Sequence, residues 1–197
     1  MIRYCRSIAD IAEYQRGILP ENAVRIDTPG ENIMMKALPF GIAGASIITG
    51  IAMFLKSFLS GTMPAHPVGI LLGCVLGFAL LPLHELLHAV VYPKDAVVTI
   101  GRLKGKFTFV ALASYPMGRG RFILMCLLPF MLGIVPLVMF LLILADMKIT
   151  GGICFGAACI GLYSPCPDVY NVLVVLKHTS THEKVMFCGE GLYRISS

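Results

Sequence analysis

Four long apolar segments constrain the fold of this chain more than any other feature. They cover residues 38–59, 68–92, 122–145 and 149–176, and each approaches or exceeds the roughly 20 residues that a helix needs to cross the hydrocarbon core. Hydrophobic residues make up 57% of the chain and charged residues 14%, and the mean hydropathy is +0.81. The sequence therefore predicts an all-α integral membrane protein with about four transmembrane helices. Pro165 and Pro167 predict a break within the fourth.

The connection between the second and third segments predicts the orientation in the cell membrane. It holds one acid, Asp95, and six basic residues: Lys94, Arg102, Lys104, Lys106, Arg119 and Arg121. Because such basic connections stay on the cytoplasmic side, four spans would place both termini in the cytoplasm. The net charge of +5 then reflects topology and attraction to anionic lipid, and the sequence shows no nucleic-acid-binding motif.

The domain prediction is one four-span unit over residues 38–177, between a cytosolic, amphipathic N-terminal segment (1–37) and a cytosolic C-terminal tail (178–197). Residues 8–19 show some helical periodicity within the first segment. Residues 94–115 contain two strand-like stretches, 96–100 and 107–111, around a segment rich in glycine and cations, which predicts a β-hairpin. Such a hairpin could bind an extended peptide substrate along its edge, or simply cap the helices at the membrane surface. The seven cysteines are interpreted as free thiols.

The motif His84-Glu85-Leu86-Leu87-His88 lies inside the second apolar segment. On a helix, residues four apart lie on one face, so both imidazoles can bind one tetrahedral metal ion. Glu85 can then serve as the general base for a metal-bound water. The pattern predicts a zinc site within the membrane.

A third ligand is predicted at Asp168, the only acid in the fourth segment, because a charge in the bilayer is costly and marks a functional candidate. Counted from the outer end of each span, His84 lies after about 24 Å of helix and Asp168 after about 28 Å. Both therefore reach a similar depth near the cytoplasmic end. Asn171, on the same helical face as Asp168, could orient a ligand or hold a substrate backbone.

Two motifs in the chain resemble those of known membrane peptidases. The His84–His88 motif and the later Ser164-Pro165-Cys166-Pro167-Asp168-Val169-Tyr170-Asn171 resemble the site-2 protease group of intramembrane metallopeptidases. Over roughly residues 38–177 the chain looks more closely like the "putative zincin peptidase" family (domain of unknown function 3267), which are small four-span proteins. The resemblance implies Zn²⁺ and a membrane protein or peptide substrate. Site-2 proteases have glycine after Pro-Asp, whereas this chain has Val169, a difference that concerns the local backbone and the substrate fit.

Each candidate residue also has a purely structural explanation. His84, Glu85 and His88 could form a buried polar network, and Asp168 could be a salt-bridge or capping residue. Asn171 could make an ordinary interhelical hydrogen bond. At the level of function, the alternatives to an enzyme are a non-catalytic zinc-binding membrane adaptor and a small ion-coupled transporter. The sequence fixes neither the substrate nor the oligomeric state.

Overall fold

The computed structural model describes residues 1–27, 33–105 and 108–196. Helices and strands both occur within these residues. The α-helices are α1 (Ile11–Tyr14), α2 (Ile33–Ser60), α3 (Pro67–Ala79), α4 (Leu81–Val91), α5 (Arg119–Leu127), α6 (Met131–Leu142), α7 (Lys148–Tyr163) and α8 (Cys166–His178), with a 3₁₀ turn at Leu128–Phe130 between α5 and α6. The strands are β1 (Ile2–Ile8), β2 (Ala23–Asp27), β3 (Val98–Leu103), β4 (Phe109–Leu112), β5 (Met117–Gly118), β6 (Lys184–Cys188) and β7 (Gly191–Ile195).

Up to four helical segments are long and apolar enough to cross a membrane. Gly41–Ser60, Arg119–Leu142 and Lys148–His178 qualify singly, and α3 and α4 qualify together as a broken pair. These segments match the four apolar runs predicted from the sequence. The predicted break near Pro165 is also confirmed, since α7 ends at Tyr163 and α8 begins at Cys166.

One compact unit comprises residues 37–81 and 129–167, and its helices α3 and α7 pack against each other through glycines. A Cβ atom at Gly73 would collide with the Ile153 carbonyl oxygen, and one at Gly156 with the Ile70 carbonyl oxygen. Since only glycine permits this approach, the backbones are held in direct contact, as is typical of helix pairs in lipid.

The outer surface of α2 is strongly apolar. Large side chains on this helix remain well exposed, among them Ile47, Phe54, Phe58 and Leu59. Soluble proteins rarely leave so continuous an apolar surface open to solvent, whereas a bilayer covers it without cost. The exposed face of α2 therefore agrees with a membrane-spanning role.

The second compact unit comprises residues 1–36, 82–128 and 168–197. It combines α4, α5 and α8 with two small sheets around one hydrophobic core. Ala89 of α4, Phe122 of α5 and Val175 of α8 are buried in that core with Val98 of β3 and Leu192 of β7. The candidate site residues belong to this unit.

The first sheet has the strand order β1-β3-β4. Strands β3 and β4 are antiparallel, with Ile100 opposite Ala111, which confirms the predicted hairpin, although Lys106 and Phe107 lie outside the described residues. Strand β1 pairs in parallel with β3, placing Ile2 beside Val98. The second sheet has the order β2-β7-β6-β5, with β2, β6 and β5 each antiparallel to their neighbours.

The prediction of an all-α protein with a single hairpin is therefore wrong. Both predicted tails contribute strands, because their backbone groups find partners far along the chain, a signal that local periodicity does not carry. The helical periodicity of residues 8–19 is likewise misleading. Only Ile11–Tyr14 is helical, capped by Asp10, whose side chain accepts a hydrogen bond from the Ala12 amide.

Candidate metal centre

Helix α4 carries the two histidines of the motif on one buried face. His84 is 5% exposed and His88 is 9% exposed, and their Nε2 atoms lie 3.1 Å apart. This arrangement follows from the spacing of four residues, which brings side chains on successive turns together. The two imidazoles can thus share one ion, or hydrogen-bond to each other without one.

Asp168 lies in the first turn of α8 and reaches both histidines. Its Oδ2 atom is 3.6 Å from His84 Nε2 and 3.4 Å from His88 Nε2. The predicted convergence of Asp168 with the motif is therefore present in the structure. Two buried imidazoles and a carboxylate oxygen face a common point.

Glu85 lies at the edge of this cluster. Its Oε1 atom is 4.0 Å from His84 Nε2, and its side chain is 15% exposed. The carboxylate also interacts with the backbone amide of Ala111 in β4. Potential ligand atoms of His84, Glu85 and His88 lie within 4.8 Å of one another. The Asp168 Oδ2 atom lies closer than Glu85 Oε1 to His84 Nε2, at 3.6 Å against 4.0 Å.

A hydrogen bond from outside the cluster fixes the orientation of His88. Its Nδ1 atom lies 2.9 Å from the carbonyl oxygen of Met125 in α5. A metal-binding histidine commonly donates its second ring N–H to such an acceptor, which fixes the tautomer and turns the other nitrogen towards the ion. Sequence analysis missed this partner because a backbone carbonyl leaves no signature in the residue type.

The donor set fits zinc. Ligand atoms about 2.0–2.1 Å from a tetrahedral ion are separated by about 3.3 Å, and the three nitrogen and oxygen separations here are 3.1, 3.4 and 3.6 Å. Two imidazoles with one carboxylate also form a mixed set that leaves a fourth position open, as in catalytic zinc sites.

Asn171 is buried one turn beyond Asp168. Its Oδ1 atom has no hydrogen-bond partner among the described residues. Its predicted role as a ligand-orienting or substrate-holding residue stays a prediction.

The comparison with known families gives the class of protein. A family model described as "putative zincin peptidase" matches residues 77–182, more than half of the chain, and this match contains the histidine motif, the hairpin and Asp168. The chain belongs to this zincin peptidase family. No match was found among curated proteins or among solved structures.

Proposed function

We propose that this chain is an intramembrane zinc metallopeptidase, similar to the site-2 proteases, that hydrolyses peptide bonds in or near the membrane. The single observation that carries the proposal is the triangle of His84 Nε2, His88 Nε2 and Asp168 Oδ2, with sides of 3.1, 3.4 and 3.6 Å, beside the Glu85 carboxylate. In this proposal His84, His88 and Asp168 hold Zn²⁺, and the substrate is a membrane protein or a peptide.

Glu85 provides the acid–base chemistry of the proposed reaction. Zinc, when bound, supplies Lewis acidity that polarises the scissile carbonyl group and activates water. Glu85 accepts a proton from the attacking water and returns it to the leaving nitrogen as the peptide bond breaks. Because Glu85 lies beside the proposed ligands and is largely buried, its carboxylate is held close to the reacting atoms and is shielded from bulk water.

The open edge of β4 supports a substrate-binding role for the hairpin. The Leu103 amide donates a hydrogen bond to the Thr108 carbonyl oxygen, so the backbone groups of Thr108 point towards β3. In an antiparallel pair the backbone direction alternates, so the backbone groups of Phe109 and Ala111 point away from β3. On this outward side the Ala111 amide interacts with the Glu85 carboxylate. A substrate peptide that pairs with this edge as an added strand would run beside the general base.

The sheet pairings support a four-span topology with both termini on one side of the membrane. Strand β1 pairs with β3, so the N-terminal segment and the connection after α4 share a side. Strand β5 pairs with β6, so that connection and the C-terminal segment also share one. An even number of crossings must then separate each pair, which requires α3 and α4 together to count as a span. The basic connection between α4 and α5 supports a cytoplasmic location for this side.

The proposal is tested by measuring metal content and peptide cleavage on detergent-purified protein. We expect about one zinc per chain in the wild type and in Glu85→Gln, and loss of zinc in His84→Ala and Asp168→Ala. His178→Ala and Asp146→Asn are the matched controls, because both residues lie outside the cluster and remain solvent-exposed. Cleavage of a library of transmembrane peptides should occur with the wild type and the controls, and should be lost in the other three variants.

The same experiment separates the remaining functions. A zinc-binding adaptor would retain zinc without cleaving any peptide, and Glu85→Gln would preserve its function. An ion-coupled transporter would move ions across reconstituted vesicles in response to a gradient. Wild-type protein without zinc would overturn the metallopeptidase proposal.

A further inference from the structure

A basic cavity lies away from the metal centre, at the edge strand of the second sheet. It measures about 350 Å³ and is lined by residues of β2, β7 and the end of α8. Four of its six lining residues can carry positive charge: Arg25, Lys177, His178 and Arg194. Cavities of this size accommodate small ligands, and the lining predicts an anionic one.

The convergence of these side chains arises from tertiary structure. Strand β2 pairs with β7 so that Val24 lies opposite Arg194 and Arg25 lies opposite Tyr193. Arg194 is oriented by its Nη1 atom, 3.3 Å from the His178 carbonyl oxygen. Its Nε atom is buried and has no hydrogen-bond partner among the described residues. A hydrogen-bond donor is therefore available in a residue that lines the cavity.

Nearby acidic residues offset only part of the positive charge of the cavity. Glu183 Oε1 lies 3.8 Å from Arg194 Nη1 and offsets part of its charge, and Asp27 is two residues from Arg25 on β2. Lys177 and His178 also complement the negative end of the α8 dipole. That explanation does not account for Arg25 and Arg194, which reach the same cavity from two strands.

The position of the cavity favours a lipid as the anionic ligand. Lys177 and His178 are the last residues of the candidate span Lys148–His178, so they lie where the chain leaves the membrane. The cavity also has apolar walls, from Val24 and Ile26, and Val24 is 47% exposed. Basic side chains beside apolar ones at the membrane surface suit an anionic lipid.

We infer that this cavity binds the phosphate-bearing headgroup of an anionic phospholipid. The cationic side chains of Arg25, Lys177 and Arg194 contact the phosphate, and Val24 and Ile26 contact the adjoining glycerol and acyl region. The inference is independent of the proposed peptidase activity, because none of these residues belongs to the metal centre.

The test is native mass spectrometry of the full chain released from detergent, with phosphatidylglycerol and phosphatidylcholine of identical acyl chains added in turn. We expect wild-type protein to retain phosphatidylglycerol with about tenfold higher affinity than phosphatidylcholine. The double variant Arg25→Gln/Lys177→Gln should lose about tenfold in affinity for phosphatidylglycerol. Both residues are exposed, so the fold should tolerate the change.

The matched control is Arg3→Gln/Lys104→Gln, which removes the same charge from exposed residues of the first sheet and its hairpin turn. It should leave the affinity for phosphatidylglycerol unchanged. The charge-conserving Arg25→Lys/Lys177→Arg should retain most of the affinity. Equal losses in the two glutamine variants would overturn the inference, since bulk charge alone would then explain binding. A loss in the charge-conserving variant as large as in its glutamine counterpart would also overturn it.

Competition with soluble phosphate compounds distinguishes a lipid headgroup from free phosphate as the ligand. Inorganic phosphate and glycerol phosphate, added at millimolar concentration, should not displace the bound phosphatidylglycerol. Displacement by either would overturn the lipid assignment and identify a site for free phosphate.

Discussion

His88 is held by Met125 through a 2.9 Å hydrogen bond between the histidine Nδ1 atom and the methionine carbonyl oxygen. This contact joins α4 to α5 and directs His88 Nε2 towards His84 and Asp168. The hydrogen bond thus fixes the orientation of the candidate ligand and limits its conformational freedom.

Metal removal should lower the thermal stability of the protein. In the proposed site zinc binds the folded cluster and not the unfolded chain, so zinc in large excess over its Kd should stabilise the protein by about 3 kcal/mol, or a Tm shift of about 6–12 °C. We expect a chelator to reverse this shift in the wild type and in His178→Ala, and to have no effect on His88→Ala. Differential scanning fluorimetry in detergent measures the change. An equal chelator effect in His88→Ala would show that this residue is not a ligand.

Replacing Ala111 by proline should weaken both substrate binding and catalysis. The substitution removes the backbone N–H of Ala111, which interacts with the Glu85 carboxylate. Because this N–H points away from β3, the hydrogen bonds between β3 and β4 are preserved. We expect normal zinc content, a higher KM and a kcat lowered about tenfold, within the range that general-base catalysis contributes.

The control for Ala111→Pro is Phe109→Pro, on the same outward-facing edge of β4. It removes one edge amide without removing the amide that meets Glu85, so it should raise KM with little change in kcat. If both variants gave the same kcat, the Ala111 amide would have no separate role in positioning Glu85.

Gly73→Leu should disrupt the contact between α3 and α7. A side chain at this position collides with the Ile153 backbone, and rigid backbone cannot move aside as a side chain can. We expect a destabilisation of about 3 kcal/mol, at the upper end of overpacking effects, measured by unfolding in mixed micelles. Gly50→Leu is the control, because a Cβ at Gly50 has no atom within 4 Å among the described residues. Similar stabilities for the two variants would contradict the glycine-dependent packing.

Labelling with a membrane-impermeant maleimide should reveal the topology. In variants with a single cysteine, Cys5 should react only after the cells are permeabilised, because β1 pairs with the basic connection, which the proposed topology places in the cytoplasm. A cysteine introduced at the exposed Met63, in the turn between α2 and α3, should react in intact cells. Labelling of both positions in intact cells would mean that α2 does not cross the membrane.

Tyr14 should make the Cys5 thiol more reactive. A hydrogen bond from Tyr14, with oxygen and sulfur 3.5 Å apart, lowers the pKa of Cys5, and the Ser7 backbone contributes further. A lower pKa means more thiolate at neutral pH, so Tyr14→Phe should shift the alkylation profile to higher pH. Peptide-level mass spectrometry after timed iodoacetamide treatment measures the shift, with Cys188 in the same sample as the internal control. An unchanged profile would show that Tyr14 does not stabilise the thiolate.

The apolar segments and the histidine motif could be predicted from the sequence. Both depend on local rules, since a bilayer requires about 20 apolar residues per helix and helical geometry places residues four apart on one face. The hairpin at β3 and β4 was also predictable, because its strands are close in the chain and a short polar turn joins them. Asp168 was predicted from the rarity of acids in apolar segments.

The remaining features depend on contacts between distant parts of the chain. The pairing of Ile2 with Val98 and of Val24 with Arg194 joins parts of the chain that no local pattern relates. The same is true of the Met125 carbonyl that orients His88 and of the Ala111 amide that meets Glu85, because every residue type carries these backbone groups. Residue identity specifies which side chains can bind a metal, whereas their orientation depends on backbone partners that only the folded chain brings together.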